Sequence, residues 1–315
     1  MGEFKNFKAG EEQEFYALIE NMQKRFTPNK KGYYGATITD GELSVDARIW
    51  DCDVVEKNEI VAGDVYFFKA HIQEYAGKVQ YVINFIRKIE DGEVDTSKFI
   101  KTAPLTKDEL VMGIGTYTKK IHNKVLYDLV VKLVKENKQS YFEYPAAMSM
   151  HHNFIGGLAY HTYSMLKISD TVINIYPGIN KDLLYAGIIL HDIGKTKELS
   201  GVKAPTYTEV GNLLGHIVIG LQMVAVAASE LGTQDTEEVK AINHLIASHH
   251  GELEFGSPKE PGMIEAYALH LIDLMDSKLA AISPEILKTE KGASTAPIAS
   301  LNRKTLYVAN IDEDE

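Results

Sequence analysis

The sequence predicts a two-domain protein of mixed class, with an all-β barrel at the N-terminus and an all-α domain after it. Up to about residue 95, short runs of β-branched and aromatic residues alternate with turn signals. From about residue 105, long apolar segments recur with helical period behind capping residues. A polar stretch that ends in Pro104 separates them and is typical of a linker. We therefore expect domains at 1–95 and 106–283, a linker at 96–105 and a polar C-terminal segment at 284–315.

Four or five short strands are expected in the N-terminal domain. In ELSVDARIW (42–50) every second residue is apolar, which is the period of a half-buried strand. Asp40-Gly41 and Ala76-Gly77 lie between such runs as hairpin turns. This many strands in under a hundred residues favours a small closed barrel, for which the OB-fold is the natural candidate.

The second domain has clear helix boundaries. Thr106 and Glu109 have the spacing of a capping box, and Asn180 stands at the N-cap position of KDLLYAGIILHDIGK. Pro177-Gly178 ends the helix before it. Apolar periodicity predicts further helices at 158–176, 181–193, 211–231, 236–250 and 262–282.

Composition narrows the functional class. Cys52 is the single cysteine, so an intramolecular disulfide is impossible and a reducing cytoplasm is expected. The N-terminus has no apolar signal segment, and the apolar stretch 217–231 is too short to cross a bilayer, so we expect no membrane partner. The net charge of -11 argues against a nucleic-acid partner, unless acids surround a metal or lie in a solvated tail such as IDEDE.

Histidines and aspartates form the most informative pattern. All the histidines except His71 lie beyond residue 120. Those of interest fall in, or at the end of, different predicted helices, and imidazole with carboxylate suits Mn, Fe, Zn or Ni. Helices of a bundle can assemble such residues into a two-metal site. The candidate metal ligands are His161, His191, Asp192, His216, His249, His250 and Asp273.

The segment LLYAGIILHDIGK carries the centre of this pattern. Burial of His191 and Asp192 at the end of so apolar a run is costly unless a metal compensates them. Lys195 follows Asp192 by three residues on the same helical face, where it can meet a phosphate oxygen. Histidines at 151–152 could reach the site from a loop, and His270 is interpreted as a core residue or one behind the ligands.

The ordered segments GGLAYHTYSML, LLYAGIILHDIGK, GHIVIG, IASHHG and ALHLIDLMDSK resemble the HD-domain metal-dependent phosphohydrolase superfamily over about 145–283. The resemblance implies a helical domain that binds divalent metal, and the additional histidines resemble those of its two-metal members. It implies that one ion is held by His161, His191, Asp192 and Asp273. It implies that Asp192, His216 and His249 hold the second, with His250 as a further candidate. From the residues themselves, Asp192, whose two oxygens could bridge two metals, and Lys195 are the candidate catalytic residues.

The domain order resembles the YhaM-type 3′-to-5′ exoribonucleases over nearly the whole chain. The fold class is then an N-terminal all-β OB-like barrel followed by an all-α HD domain. The resemblance implies two-metal hydrolysis of single-stranded RNA, and to some extent DNA, to nucleoside 5′-monophosphates. Two divalent ions are expected, with Mn favoured and Fe, Zn, Ni, Co and Mg as alternatives.

Aromatic residues interleave with basic ones in the N-terminal domain, as in proteins that stack single-strand bases. About half of these rings should be barrel core, since Phe67 and Phe68 cannot both face inward on one strand. The candidate nucleic-acid contacts are Tyr34, Arg48, Trp50 and Phe68.

Two other functions fit the same residues. One is a phosphodiesterase or phosphatase for a small nucleotide, with the barrel as a sensor or oligomerisation module. The other is an OB-fold factor that binds single-stranded DNA in replication and whose metal site is structural. The sequence leaves open the metal, the choice between RNA and DNA, and a homo-oligomer formed through the C-terminal segment.

Overall fold

The computed structural model describes residues 3–75, 77–147, 153–202 and 204–311. The chain divides into two compact units, Met1–Lys101 and Thr102–Glu315. The boundary falls inside the stretch 96–105 for which the sequence predicts a linker. Part of that stretch, Thr96–Phe99, is a 3-10 helix whose Phe99 side chain is buried.

The N-terminal unit is a closed five-stranded barrel, which confirms the predicted OB-like fold. Its strands are β1 (Glu12–Phe26), β2 (Gly32–Thr39), β3 (Ser44–Ile49), β4 (Val65–Tyr75) and β5 (Lys78–Lys88), with helix α1 (Cys52–Lys57) between β3 and β4. The order around the barrel is β1-β2-β3-β5-β4, with β3 and β5 parallel and the remaining pairs antiparallel.

Alternation along the strands fills the barrel core. Phe15, Ala17 and Ile19 of β1 point inward, and the same period buries alternate residues of the other strands. Asp40-Gly41 forms the expected turn between β2 and β3, and Asp40 accepts hydrogen bonds from the backbone N–H groups of Glu42 and Leu43. The second expected turn includes Ala76, which lies outside the described residues.

The C-terminal unit is helical. Its helices are α2 (Lys107–Thr118), α3 (Lys124–Glu136), α4 (Lys138–Glu143), α5 (Gly157–Ile175), α6 (Lys181–Leu190), α7 (Lys195–Glu198), α8 (Glu209–Leu231), α9 (Glu237–Ser248) and α10 (Ile264–Leu287). The capping box of Thr106 and Glu109 is formed, and the Asn180 side chain accepts from the N–H of Leu183. Beyond α10, backbone bridges join Ser294 to Tyr307 and Ile298 to Lys304.

Two helices determine where the site lies. Every residue of α6 from Leu183 to Leu190 is buried, so the turn that follows it is inside the protein. Helix α8 is the one described helix that is long and apolar enough to cross a membrane by length and composition. Gly215 leaves helical geometry within α8 (φ 70°, ψ 160°), and Ile217, Val224 and Ala228 pack into the helical core.

Candidate metal centre

The centre is built around the turn that follows α6. His191 and Asp192 are 0% and 3% exposed, so two polar side chains lie within an apolar core. Ionised groups in such a place need compensation by partners or by a metal. Three other elements bring histidines to this turn: α5 carries His161, α8 carries His216, and His249 follows α9.

The histidine rings surround Asp192 with their Nε2 atoms toward its carboxylate. The Nε2 atoms of His191, His216 and His249 lie 3.3, 3.4 and 3.7 Å from its oxygens. His161 Nε2 lies 3.2 Å from Asp273 Oδ1. The structure thus places histidines from separate helices, with Asp192 and Asp273, in one cluster.

The opposite ring nitrogens hold the histidines in place. His191 Nδ1 is 2.8 Å from the carbonyl oxygen of Ile188, and His249 Nδ1 is 2.7 Å from that of Ile246. A carbonyl oxygen can only accept, so in both rings Nδ1 carries the proton and Nε2 presents its lone pair to the centre. That is the form in which imidazole binds metal.

Several of these buried atoms have no hydrogen-bond partner within the described part of the chain. They are His191 Nε2, His216 Nε2, His249 Nε2 and Asp192 Oδ1. Buried polar atoms without partners are rare, because each costs the free energy of its lost hydration. Divalent cations bound among these atoms would satisfy them, so the donor set fits the metal that the sequence predicts.

The candidate ligand atoms fall into two groups, and within each group the atoms lie within 4.8 Å of one another. His161, His191 and Asp192 form one group, and His216, His249 and His250 form the other. The His250 ring lies 5.2 Å from that of His216. The histidines at 151–152 lie outside the described residues. His270 Nδ1 is 3.0 Å from the carbonyl oxygen of His249, behind the ligands.

Electrostatics keep the Asp192 carboxylate ionised. Burial raises the pKa of Asp192, but the charge of Lys195 and then of His191 outweighs it, so the pKa lies well below its usual range. Burial, with the charge of His250, lowers the pKa of His249 well below its usual value. Burial lowers the pKa of His161, but hydrogen bonds with Asp273 and Asp276 outweigh it and raise the pKa to about 9.

Lys195 lies beside the carboxylate at the centre. Its Nζ is 2.6 Å from Asp192 Oδ2, and its side chain is 14% exposed. The Lys195 side chain is therefore largely buried beside the cluster. Here it offsets the charge of Asp192.

Two carboxylates of the site have no place in the sequence prediction. Asp276 Oδ2 is 2.7 Å from His161 Nδ1, and Glu198 Oε1 is 3.3 Å from His216 Nδ1. Asp276 follows Asp273 by three residues on one helix, a spacing that could have revealed it. Glu198 lies on α7 and no sequence pattern connects it to His216.

The barrel residues predicted to contact nucleic acid separate into two sets. Arg48 and Trp50 lie on the outer face, where Arg48 and Lys31 lie over the rings of Tyr33 and Trp50, and these two rings are 4.9 Å apart. Gly35 brings Arg25 beside Arg48. We refer to this surface as the basic–aromatic patch; it consists of Arg25, Lys31, Tyr33, Arg48 and Trp50.

The prediction for Phe68 is wrong. Its side chain is 0% exposed and stacks on Phe15 inside the barrel, so it cannot stack on a base. Tyr34 is half-buried, packs against the barrel core and lies with its hydroxyl 3.3 Å from Glu56 Oε1. The outward ring of that pair of tyrosines is Tyr33.

Comparison with known proteins agrees with this architecture. Residues 158–280 match the HD domain family, and this range includes every residue described for the centre. The chain is 37% identical over 303 residues to the 3′-5′ exoribonuclease YhaM of Geobacillus sp. (strain WCH70). The alignment covers 96% of this chain and 93% of the relative. The protein is thus an HD-domain protein that binds divalent metal, and it belongs to the YhaM family.

Proposed function

We propose that this protein is a metal-dependent 3′-to-5′ exoribonuclease that degrades single-stranded RNA to nucleoside 5′-monophosphates. The observation that carries the proposal is the convergence of three unpartnered histidine Nε2 atoms and Asp192 Oδ1 in one buried cluster. The YhaM relative, which aligns over both units of this chain, supports the reaction and its polarity. A cytoplasmic location is part of the proposal and is supported by the single cysteine.

The two ligand groups would hold two divalent ions, with Mn²⁺ favoured. His161, His191, Asp192 and Asp273 would bind one, and Asp192, His216 and His249 the other, with His250 beside them. Bound divalent metal supplies activated water at neutral pH and neutralises charge on an attacked phosphate. Lys195 would hold a phosphate oxygen through its ammonium group and so orient the scissile bond.

Hydrolysis is tested with a 5′-labelled single-stranded RNA, Mn²⁺ and the Asp192→Asn variant. Wild-type protein should shorten the labelled RNA from its 3′ end in single-nucleotide steps. Asp192→Asn should not degrade the RNA, because the carboxylate shared by the two ions is gone. Asp235→Asn, an exposed loop change, is the matched control and should degrade RNA normally. Mn²⁺-dependent degradation that persists in Asp192→Asn, or products that shorten from the 5′ end, would contradict the proposal.

The basic–aromatic patch is the proposed strand-binding surface. Exposed rings accept stacked bases at about 1–3 kcal/mol per base, and adjacent cations neutralise phosphates. Trp50 is 40% exposed and is the single tryptophan of the chain, so its fluorescence reports on this surface directly. This patch gives an acidic protein a local basic surface for the substrate.

Binding can be measured in EDTA, where RNA stays intact, by quenching of Trp50 fluorescence with oligouridylate. Tyr33→Ala should weaken binding about 5- to 150-fold, the equivalent of one stacked base. Tyr75→Ala is the control, since that ring is 68% exposed at the end of β4 and outside the patch. Equal affinity in Tyr33→Ala and wild type would show that the strand binds elsewhere. The same titration with oligodeoxyuridylate measures the preference for RNA over DNA.

A further inference from the structure

The histidines of the centre are held in two different ways. His191 and His249 face backbone carbonyl oxygens, whereas His161 and His216 face carboxylates. One carboxylate-held histidine belongs to each group of ligands. A carboxylate on the far nitrogen makes the metal-facing nitrogen a stronger electron-pair donor and fixes the ring.

Glu198 acts on His216 through two contacts. Its Oε1 accepts the backbone N–H of His216 at 2.9 Å and lies 3.3 Å from the ring Nδ1. The left-handed Gly215 immediately before His216 interrupts the helix at this point. One oxygen therefore fixes both the backbone and the ring of this histidine.

The surroundings hold Glu198 firmly. Its side chain is 10% exposed, and its backbone oxygen would lie 2.3 Å from a Cβ placed on Gly211, so α7 packs directly on the first turn of α8. Glu198 is absent from both groups of ligand atoms. Its contacts are those of a residue that orients a ligand.

Asp276 has the corresponding place on the other side. It lies one helical turn beyond Asp273 on α10, and its Oδ2 is 2.7 Å from His161 Nδ1. His161 thus lies between two carboxylates, one on each ring nitrogen.

We propose that Glu198 and Asp276 are positioning residues that act on different metal ions of the centre. Glu198 raises the affinity for the ion that His216 and His249 would hold. Asp276 raises the affinity for the ion that His161 and His191 would hold. This inference rests on the proposed two-ion centre. Loss of such an outer carboxylate typically costs 10- to 100-fold in metal affinity.

The test is a Mn²⁺ titration of the full-length protein without RNA, in which the electron paramagnetic resonance signal of free Mn²⁺ gives the number and affinity of bound ions. Glu198→Gln should weaken one ion about 10- to 100-fold and leave the other unchanged. Asp276→Asn should also weaken one ion, and the double variant should weaken both. Because the titration contains no substrate, its outcome is separate from whether the protein degrades RNA.

A purely structural role for Glu198 predicts a different result. The glutamine amide oxygen can still accept the His216 backbone N–H, so the metal-free melting temperature of Glu198→Gln should match that of wild type. If the role of Glu198 is only structural, Glu198→Gln should bind Mn²⁺ with the affinity of wild type, and that result would overturn the proposal. Binding of a single ion by wild type, or weakening of the same single ion in the double variant, overturns it as well. Glu209→Gln, exposed in the first turn of α8, is the matched control and should titrate as wild type.

Discussion

Phe68 shows at the scale of one residue how the barrel core is held together. It lies between Phe15, which it stacks on at 5.6 Å, and Tyr66, whose ring is 6.3 Å away. Phe85, also on the barrel, is 45% exposed. A phenylalanine inside a close-packed core contributes through both its buried area and the cavity it fills.

We expect Phe68→Ala to lower the free energy of unfolding of the barrel by about 3–5 kcal/mol. Urea unfolding monitored by Trp50 fluorescence measures this, because the only tryptophan lies in the barrel. Phe85→Ala is the paired control and should lower the free energy of unfolding by much less. Equal losses in the two variants would show that Phe68 is not a core residue.

The residues that sequence could identify are those whose neighbours along the chain define them. His191 and Asp192 end an apolar helix, and this alone predicts their burial. Phe67 and Phe68 are both aromatic, so their order inside and outside depends on the pairing of β4 with β1, which is a tertiary property. Glu198 reaches His216 only through the packing of α7 on α8.

At the scale of elements, the turn after α6 packs on α8 through glycine. A Cβ on Gly194 would lie 1.9 Å from the carbonyl oxygen of His216 and 2.8 Å from the backbone nitrogen of Gly220. Both are backbone atoms and cannot swing aside. A Cβ on Gly220 would meet its nearest neighbour, Ile246 Cγ2, at an ordinary 3.5 Å.

These distances predict that two similar glycine-to-alanine substitutions change the stability of the helical unit in different ways. Gly194→Ala should separate the turn from α8, lower the melting temperature and weaken Mn²⁺ binding, since His216 is displaced from Asp192. Gly220→Ala should be neutral or stabilise the helix by up to about 1 kcal/mol, the propensity difference between alanine and glycine. Thermal unfolding by circular dichroism and the Mn²⁺ titration measure both, and a Gly194→Ala protein that binds Mn²⁺ normally would refute the close packing.

A second contact between elements attaches the segment that follows β5 to the barrel. Glu93, beyond β5, makes two hydrogen bonds with Arg87 at 2.9 and 2.5 Å and accepts one from the Tyr16 hydroxyl of β1 at 2.8 Å. The Arg87 hydrogen bonds, with that from the Glu90 backbone, lower the pKa of Glu93 from 4.5 to about 2.

This lowered pKa predicts a pH dependence of barrel stability. A carboxyl with a depressed pKa in the folded state stabilises the fold above its unfolded pKa and loses that contribution as pH falls through the folded one. The difference in urea midpoint between wild type and Glu93→Gln should therefore be full above pH 4.5 and shrink toward pH 2. Trp50 fluorescence measures it, and a difference that is constant over this range would contradict the role of the ion pair.

Element boundaries were predictable where local chemistry specifies them. Thr106 and Asn180 cap their helices through side-chain hydrogen bonds within four residues of sequence, so the sequence predicts both starts. The six-residue α1 and four-residue α7 are too short for periodicity to reveal. Their positions depend on what they pack against.

At the scale of the whole molecule, the two units have separate hydrophobic cores. The barrel core includes Phe15, Phe68 and Tyr81, and the helical core includes Leu129, Leu184 and Ile242. The metal centre belongs to the helical unit, whereas Trp50 belongs to the barrel. Metal binding and tryptophan fluorescence therefore report on different units.

Metal removal should accordingly destabilise one unit only. An ion at 100 times its dissociation constant stabilises the state that binds it by about 2.7 kcal/mol, which corresponds to about 5–10 °C for a unit of this size. EDTA should lower the thermal transition seen by circular dichroism at 222 nm, which reports on the helices, and leave the Trp50 transition in place. Mn²⁺ should not raise the melting temperature of Asp192→Asn, since this variant lacks the shared ligand. If EDTA shifts the Trp50 transition by the same amount, the two units unfold together, and the independence argued from their separate cores is wrong.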